Sequence, residues 1–257
     1  MDARVKPRMT LFALLKHESA NTMQAKTFVL VHGAWHGGWC WRRVVDRLTA
    51  DGHKVFAPTL TGLGERSHLM SRDIGLSTHI ADVVNPIRWE RLTDVVLVGH
   101  SYAGFVISGV AEQVPMAIAS MVFLDAFVPN DGECFIELTA PPTREAAEAA
   151  QRRGDFTVPP RPAEFFRVNE ADRAWVDALC TPHPIATMLE RITLSGACER
   201  VPKKAYVRAR DYPSPAFERA YGELKSNPAW RVYLAPCGHD VMVDMPARLA
   251  EILLEVA

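Results

Sequence analysis

One stretch constrains the fold more than any other: an apolar strand, a glycine-serine turn and a helix. Val95–Val98 is apolar and mostly β-branched, which is typical of a parallel strand covered on both faces. The turn Gly99-His100-Ser101-Tyr102-Ala103-Gly104 follows, and apolar residues then recur at helical spacing from Phe105 to Val114. This order predicts a nucleophile elbow with Ser101 as the nucleophile. The alternative is a serine that only caps a helix.

The elbow departs from the usual pattern at one position. The second glycine of such turns is replaced by Ala103, and Gly104 follows it. We expect the methyl group of Ala103 to be tolerated, so the prediction for Ser101 stands.

Five further apolar runs predict strands, and helical patterns separate most of them. The alternation predicts an α/β fold with a mostly parallel sheet of about six strands, flanked by helices. The five runs are Lys26–Val31, Lys54–Pro58, Ser120–Leu124, Lys204–Ala209 and Trp230–Leu234.

The 257 residues fit one large domain, predicted over residues 26–257. Residues 1–25 are predicted to be a poorly ordered N-terminal extension. Between the strands at 120–124 and 204–209, residues 130–201 are rich in Pro, Glu, Ala and Arg. We interpret this insertion as a mainly helical cap over the carboxyl ends of the sheet, where open α/β folds bind ligands.

Composition excludes several classes of function. A net charge of -1 gives no electrostatic case for nucleic acid or an anionic membrane. No run approaches the roughly 18 apolar residues of a spanning helix. Five cysteines without a Cys-x-x-Cys pair favour a reducing, cytoplasmic location. We expect no metal and no cofactor, and the sequence leaves a homodimer open.

A glycine-rich turn, His32–Trp39, follows the first predicted strand. A serine hydrolase needs two preorganised N–H donors for its oxyanion, one after the nucleophile and one from this first loop. The candidates are the backbone N–H groups of Tyr102 and Ala34. His32 and His36 lie four residues apart in the turn, and without a third ligand we favour hydrogen-bonded structure over a metal site.

Two further polar residues complete a triad in the chain order serine, acid, histidine. Asp211 follows the strand at 204–209, and His239 follows the last strand. A serine becomes nucleophilic when a histidine takes its proton, and a carboxylate orients the imidazole. Asp125, which also follows a core strand, is the rival acid, and we favour Asp211.

These motifs resemble the α/β-hydrolase superfamily, and within it the plant methylesterases, hydroxynitrile lyases and their bacterial esterase relatives. The resemblance rests on Phe28–Trp41, on Gly99–Gly104 and on the positions of Asp211 and Gly238-His239. It implies an α/β-hydrolase fold over residues 26 to 257. The triad that it implies is Ser101, Asp211 and His239, with Ala34 and Tyr102 as oxyanion donors. Gly33, Trp35 and His100, which flank these motifs, are predicted to contact the substrate.

Two positions favour ester hydrolysis over cyanohydrin cleavage. The lyases that the chain resembles carry a threonine where this chain has Gly33 and a lysine where it has Asp240, and a departing cyanide needs that cation. We therefore predict a cofactor-independent serine esterase for a small to medium carboxylic ester. The alternatives are a lyase, a carbon–carbon hydrolase or a cofactor-free oxygenase on the same triad, and a ligand-binding receptor on a hydrolase scaffold.

Overall fold

A computed structural model describes residues 24–257. The predicted N-terminal extension lies outside the described residues except for Gln24 and Ala25. The described chain contains eight strands: β1 Thr27–Val31, β2 Lys54–Phe56, β3 Val95–His100, β4 Ile118–Leu124, β5 Thr157–Val158, β6 His183–Pro184, β7 Lys203–Ala209 and β8 Trp230–Ala235. Six of them form the predicted parallel sheet, and their order in it is β2-β1-β3-β4-β7-β8.

Helices alternate with these strands. They are α1 Arg42–Ala50, α2 Leu76–Trp89, α3 Ala103–Gln113, α4 Phe135–Leu138, α5 Pro141–Arg152, α6 Glu170–Leu179, α7 Ile185–Leu189, α8 Ala197–Arg200, α9 Pro215–Lys225, α10 Val241–Asp244 and α11 Pro246–Val256. Short 3-10 helices lie at Gly38–Trp41, Gly64–Leu69 and Pro115–Ala117.

The hydrophobic core lies around the central strands. Every residue of β3 is buried, whereas the edge strands β2 and β8 are partly exposed. α1 packs against α11, and α2 packs against α3. Continuous apolar strands are stable only when helices cover both faces of the sheet, which explains why β1 and β3 show no alternation of apolar and polar residues.

The segment between β4 and β7 holds α4 to α8 and one feature that the sequence did not predict. β5 and β6 form a two-stranded antiparallel sheet, with Val158 paired to His183. We expected no buried strand in this segment, yet Val158, His183 and Pro184 are buried. Strands of two residues are too short to produce a periodic pattern. The segment is joined to the core by a bidentate ion pair from Arg43 to Asp172.

The strand register brings the ends of the central strands to one edge. His100 at the end of β3 lies beside Leu124 at the end of β4, and Leu124 lies beside Val207 in β7. The residues that follow, Ser101 and Asp125, therefore leave neighbouring strands at the same level. This alignment explains how groups far apart in sequence share one site.

The turn after β3 depends on glycine at position 104. A Cβ there would collide with the carbonyl oxygen of Phe127, whereas Ala103 fits fully buried at the start of α3. The glycine that the motif needs for close approach is thus Gly104, and the alanine at 103 is tolerated.

We expect Gly104→Ala to lower the free energy of unfolding by about 3 kcal/mol, because the methyl group has no space beside the Phe127 backbone. Gly222→Ala in α9 is the matched control, since a Cβ there meets nothing within 4 Å. It should leave the free energy of unfolding unchanged or raise it by up to about 1 kcal/mol. Urea denaturation measures both, and equal effects would contradict the packing argument.

Candidate active site

A cavity of about 460 Å³ lies where the sheet ends meet the insertion, and Ser101 and His239 both line it. We call it the central cavity. Most of its wall is apolar. Seven aromatic side chains contribute: Trp35, Phe127, Phe135, Phe165, Phe166, Tyr212 and Phe217. Such a lining suits a ligand with a flat or apolar body.

Ser101 has the strained backbone of a nucleophile elbow. Its φ is +55°, a left-handed conformation that residues other than glycine rarely adopt. Backbone hydrogen bonds hold it there, from its own N–H to the Leu124 carbonyl at 3.2 Å and from the Phe127 N–H to its carbonyl at 3.2 Å. Strain of this kind is concentrated at functional sites. The structure thus gives Ser101 the conformation that the sequence motif predicts.

His239 follows β8 and is held between aromatic rings. Its ring stacks on Tyr212 at 4.5 Å and on Phe217 at 5.5 Å between centroids. Its backbone N–H donates to the Phe166 carbonyl at 2.8 Å. A side chain at Gly238 would collide with the Arg167 carbonyl, so the loop requires glycine before the histidine. The imidazole is only 3% exposed.

The acid that contacts His239 is Asp125. His239 Nδ1 donates to Asp125 Oδ2 at 2.7 Å, and the carboxylate is fully buried. Asp125 also has a positive φ of 40°, and its N–H donates to the Val207 carbonyl at 2.7 Å. A short hydrogen bond between a buried carboxylate and Nδ1 fixes the tautomer that leaves Nε2 unprotonated.

Contrary to the prediction, the structure does not bring Asp211 into contact with His239. The Asp211 side chain is 46% exposed and bonds Arg210 Nε at 2.8 Å. That hydrogen bond lowers the pKa of the Asp211 carboxyl. The chain turns after β7, and the next residue, Tyr212, stacks its ring on the imidazole. The side chain of Asp211 is therefore directed to solvent, while Asp125 bonds Nδ1.

The two predicted oxyanion donors lie beside the elbow and in the first loop. Among the described residues, neither the Ala34 N–H nor the Tyr102 N–H has a hydrogen-bond acceptor. The next N–H in the loop, that of Trp35, faces His183 Nδ1 at 3.4 Å. Trp35 has a φ of +66° and its indole N–H donates to the Val158 carbonyl at 3.1 Å, so the insertion holds this loop.

Of the three residues predicted to contact substrate, only Trp35 lines the central cavity. His100 is fully buried, and its Nε2 faces the His239 carbonyl at 3.1 Å. A Cβ at Gly33 would lie 3.0 Å from the Ser101 Cβ and 2.9 Å from His100 Nδ1. Gly33 and His100 therefore pack against the catalytic candidates instead of lining the cavity, which corrects that prediction.

A second buried carboxylate, Asp240, lies next to His239 in sequence. It is fully buried and bonds His36 Nε2 at 3.0 Å, while His36 Nδ1 bonds the Ala34 carbonyl at 2.8 Å. Both ring nitrogens of His36 face acceptors, which favours the doubly protonated imidazolium. The sequence analysis did not predict this pair. The available signal was a histidine in the loop after β1 and an acidic residue in the loop after β8, because both loops follow core strands.

The two groups shift each other's pKa. Burial by itself would lower the pKa of His36, but the Asp240 carboxylate outweighs it and raises that pKa. Burial by itself would raise the pKa of Asp240, but the His36 charge and hydrogen bond lower it to about 2. The ion pair therefore joins the loop that carries Ala34 to the loop that carries His239.

The other loop histidine, His32, is neutral. Its Nδ1–H donates to the Gly33 carbonyl at 2.9 Å and its Nε2 accepts from the Leu60 N–H at 3.0 Å. Burial lowers its pKa to about 3. Within residues 24–257 no three His, Cys, Asp or Glu side chains are grouped to hold a metal ion. In the same residues, no helix is long and apolar enough to cross a membrane.

Comparison with known proteins identifies the family. The model of the alpha/beta hydrolase family matches residues 28–252. The chain belongs to the alpha/beta hydrolase family. This match confirms the fold and the resemblance predicted from the sequence.

Relatives of this alpha/beta hydrolase include esterases. A carbendazim hydrolyzing esterase from Nocardioides sp. (strain SG-4G) is 44% identical over 87% of this chain and 96% of its own length. A putative chloroplastic methylesterase 15 from Arabidopsis thaliana is 27% identical over 100% of this chain, which spans 61% of that protein. These relatives confirm the predicted class of enzyme, an ester hydrolase.

A solved structure supports the fold. An extracellular alpha/beta-hydrolase from a Paenibacillus species, described as sharing structural and functional homology with tobacco salicylic acid binding protein 2, matches with a TM-score of 0.79. It covers 90% of this chain and 99% of its own, at 24% identity. At that identity the likeness concerns the fold alone.

The buried ion pair predicts a pH-dependent stability. Because folding raises the pKa of His36, its protonation contributes fully to stability below pH 6.5, and this contribution is lost as the pH rises through the raised pKa. Because folding lowers the pKa of Asp240, its ionisation contributes fully above pH 3.8, and this contribution is lost as the pH falls to about 2. Asp240→Asn should therefore lower the free energy of unfolding by about 3 kcal/mol near pH 5.5, and by clearly less at pH 9.

Urea denaturation at the two pH values measures this difference. Asp155→Asn is the control, because it breaks an exposed ion pair with Arg153 and should change neither midpoint. A cost for Asp240→Asn that is the same at pH 5.5 and pH 9 would contradict the charged state of His36.

Proposed function

We propose that this protein is a serine esterase whose triad is Ser101, His239 and Asp125. The observation that carries the proposal is the hydrogen bond from His239 Nδ1 to the buried Asp125, with the strained Ser101 on the same cavity. A histidine held in this tautomer has Nε2 available as a base, and a serine on an elbow presents its hydroxyl to the cavity.

The proposed reaction has two steps. Ser101 Oγ attacks the ester carbonyl carbon while its proton goes to His239 Nε2, and the Ala34 and Tyr102 N–H groups bind the oxyanion. His239 then returns the proton to the leaving alcohol as the acyl-enzyme forms. Water, deprotonated by the same nitrogen, cleaves the acyl-enzyme and releases the acid.

The shape and lining of the central cavity support a small or medium ester with an aromatic or apolar body. Polar groups on its wall are few, and Ser101, His239 and the exposed Arg167 are among them. The 44% identical relative named for carbendazim makes that compound, a methyl carbamate on a flat aromatic ring, a reasonable test substrate. Five free cysteines support the proposed reducing, cytoplasmic location.

Steric packing supports hydrolysis over cyanohydrin cleavage. The lack of space for a side chain at Gly33 opposes the threonine expected in a lyase. The residue after His239 is the acidic Asp240, so the site has no cation at that position to receive cyanide.

Turnover of p-nitrophenyl butyrate and of carbendazim tests the proposal. Ser101→Ala should lower kcat/KM at least about 10³-fold, and Asp125→Asn should lower kcat about 10⁴-fold, because the imidazole loses its fixed tautomer. Asp211→Asn is the matched control for the acid and should stay within about twofold of the parent, since its carboxylate is exposed.

Two results would contradict the proposal. A large loss in Asp211→Asn together with an active Asp125→Asn would reverse the assignment of the acid. A folded protein without ester turnover would exclude the esterase and direct attention to cyanohydrins and then to ligand binding.

A further inference from the structure

A buried cation lies on the far side of the proposed acid from the histidine. Arg208 is in β7, where every residue from Lys204 to Ala209 is buried, and its own side chain is only 1% exposed. A guanidinium in such a strand is strongly unfavourable unless it is paired and hydrogen-bonded. Arg208 can therefore occupy this buried position only because other groups pair with it and accept its hydrogen bonds.

The hydrogen bonds of Arg208 connect it to the proposed triad. Its Nη1 donates to Asp125 Oδ1 at 2.8 Å, and the Ala209 N–H donates to the same oxygen at 3.1 Å. The other oxygen, Oδ2, accepts from His239 Nδ1 at 2.7 Å. The guanidinium and the imidazole thus bind opposite oxygens of one carboxylate. Because Leu124 is in register with Val207, the strand register places Arg208 beside Asp125.

Further hydrogen bonds fix both terminal nitrogens of the guanidinium. Nη1 also donates to the Ala209 carbonyl, and Nη2 donates to the Tyr212 carbonyl and to Glu218 Oε1. Glu218 is 60% exposed, so its charge is screened by solvent. Four acceptors around one planar group hold the cation in a single orientation against Asp125.

We propose that Arg208 is a positioning residue that aligns Asp125 against His239 and whose charge opposes that of an imidazolium there. This inference rests on the proposed serine esterase. With both donors on Oδ1, the carboxylate can turn only Oδ2 to the imidazole. The charge of the cation also opposes the stabilisation that the carboxylate gives to an imidazolium at His239.

Four other titratable groups near His239 and Asp125 are neutral at physiological pH. Burial raises the pKa of Tyr206 and of Tyr212 far above neutrality, and it raises that of Cys237 to about 12. Burial and the neighbouring His239 lower the pKa of His100 well below its usual value. These groups add no charge against His239 or Asp125.

The remaining charged groups are paired or exposed. Asp240 is bonded to His36, and Asp244 accepts from Asn169 at 2.8 Å. Arg167 and Arg161 belong to the insertion; the former is exposed and the latter lies over the Phe165 ring. Among the residues that the structure describes, Arg208 is thus the one buried cation in contact with Asp125.

Two substitutions separate the charge of Arg208 from its packing. Arg208→Gln keeps a donor but removes the charge, whereas Arg208→Lys keeps the charge but loses the planar fork. We expect the acid limb of the pH profile of kcat/KM to move up by about one pH unit in Arg208→Gln and by less than about 0.3 in Arg208→Lys. Both should lower kcat, by about 10-fold or more, with KM unchanged, because Asp125 loses part of its alignment.

Glu218→Gln is the control, because it removes the exposed partner of the same guanidinium. It should leave the acid limb and kcat unchanged. An acid limb that stays in place in Arg208→Gln while both Arg208 variants lose the same activity would overturn the proposal and leave Arg208 a purely structural role.

A second measurement does not depend on turnover or on Arg208→Gln being active. Nitrogen-15 NMR of the His239 ring, assigned with His239→Gln, follows the protonation of the imidazole in the parent and in both Arg208 variants. A titration midpoint that rises by about one pH unit in Arg208→Gln supports the proposal even if no ester is hydrolysed, in which case only the proposed function fails. An unchanged midpoint overturns it.

If Arg208→Gln does not fold, Arg208→Lys decides. A fall in kcat with KM and the His239 titration unchanged supports alignment of Asp125 by the planar guanidinium, which lysine lacks. A rise in KM with kcat unchanged places Arg208 in substrate binding and overturns the proposal.

Discussion

The site depends on one buried charge, the carboxylate of Asp125. A carboxylate without solvent is tolerated only when donors satisfy both oxygens, and here they come from the loop after β8, from the Arg208 side chain and from the backbone at the end of β7. Two of these donors belong to β7 and the third to the loop after β8, so the buried carboxylate requires β4, β7 and the β8 loop to end side by side. The same requirement brings His239 to the cavity that Ser101 lines.

Two buried carboxylates lie near His239 and bond different side chains. Asp125 bonds the imidazole itself, whereas Asp240 bonds His36, whose other nitrogen holds the Ala34 carbonyl. The first carboxylate orients the proposed base, and the second orients the loop that carries a proposed oxyanion donor. Because Asp240 follows His239 directly, a shift of the loop that carries His239 would also displace the loop that carries Ala34, and the reverse holds as well.

The insertion between β4 and β7 forms much of the wall of the central cavity, which Ser101 and His239 also line. Phe135, Phe165 and Phe166 come from it and face Tyr212 and Phe217 from the core across the central cavity. Val158 in the small sheet accepts the Trp35 indole N–H, so the insertion also holds the first loop. The same segment therefore lines the central cavity and holds the loop that carries Ala34.

The sequence by itself determined the six core strands, the parallel sheet, the elbow turn at Ser101 and the place of His239 after the last strand, because strand periodicity and the elbow turn are local signals. The tertiary structure decided which of Asp125 and Asp211 contacts His239. Both follow core strands, and only the turn after β7 shows Asp211 facing solvent and Tyr212 facing the imidazole. A lone arginine in the apolar β7 strand was the available clue, since a buried cation requires an acidic neighbour. Its neighbour is set by strand register, which no local pattern encodes.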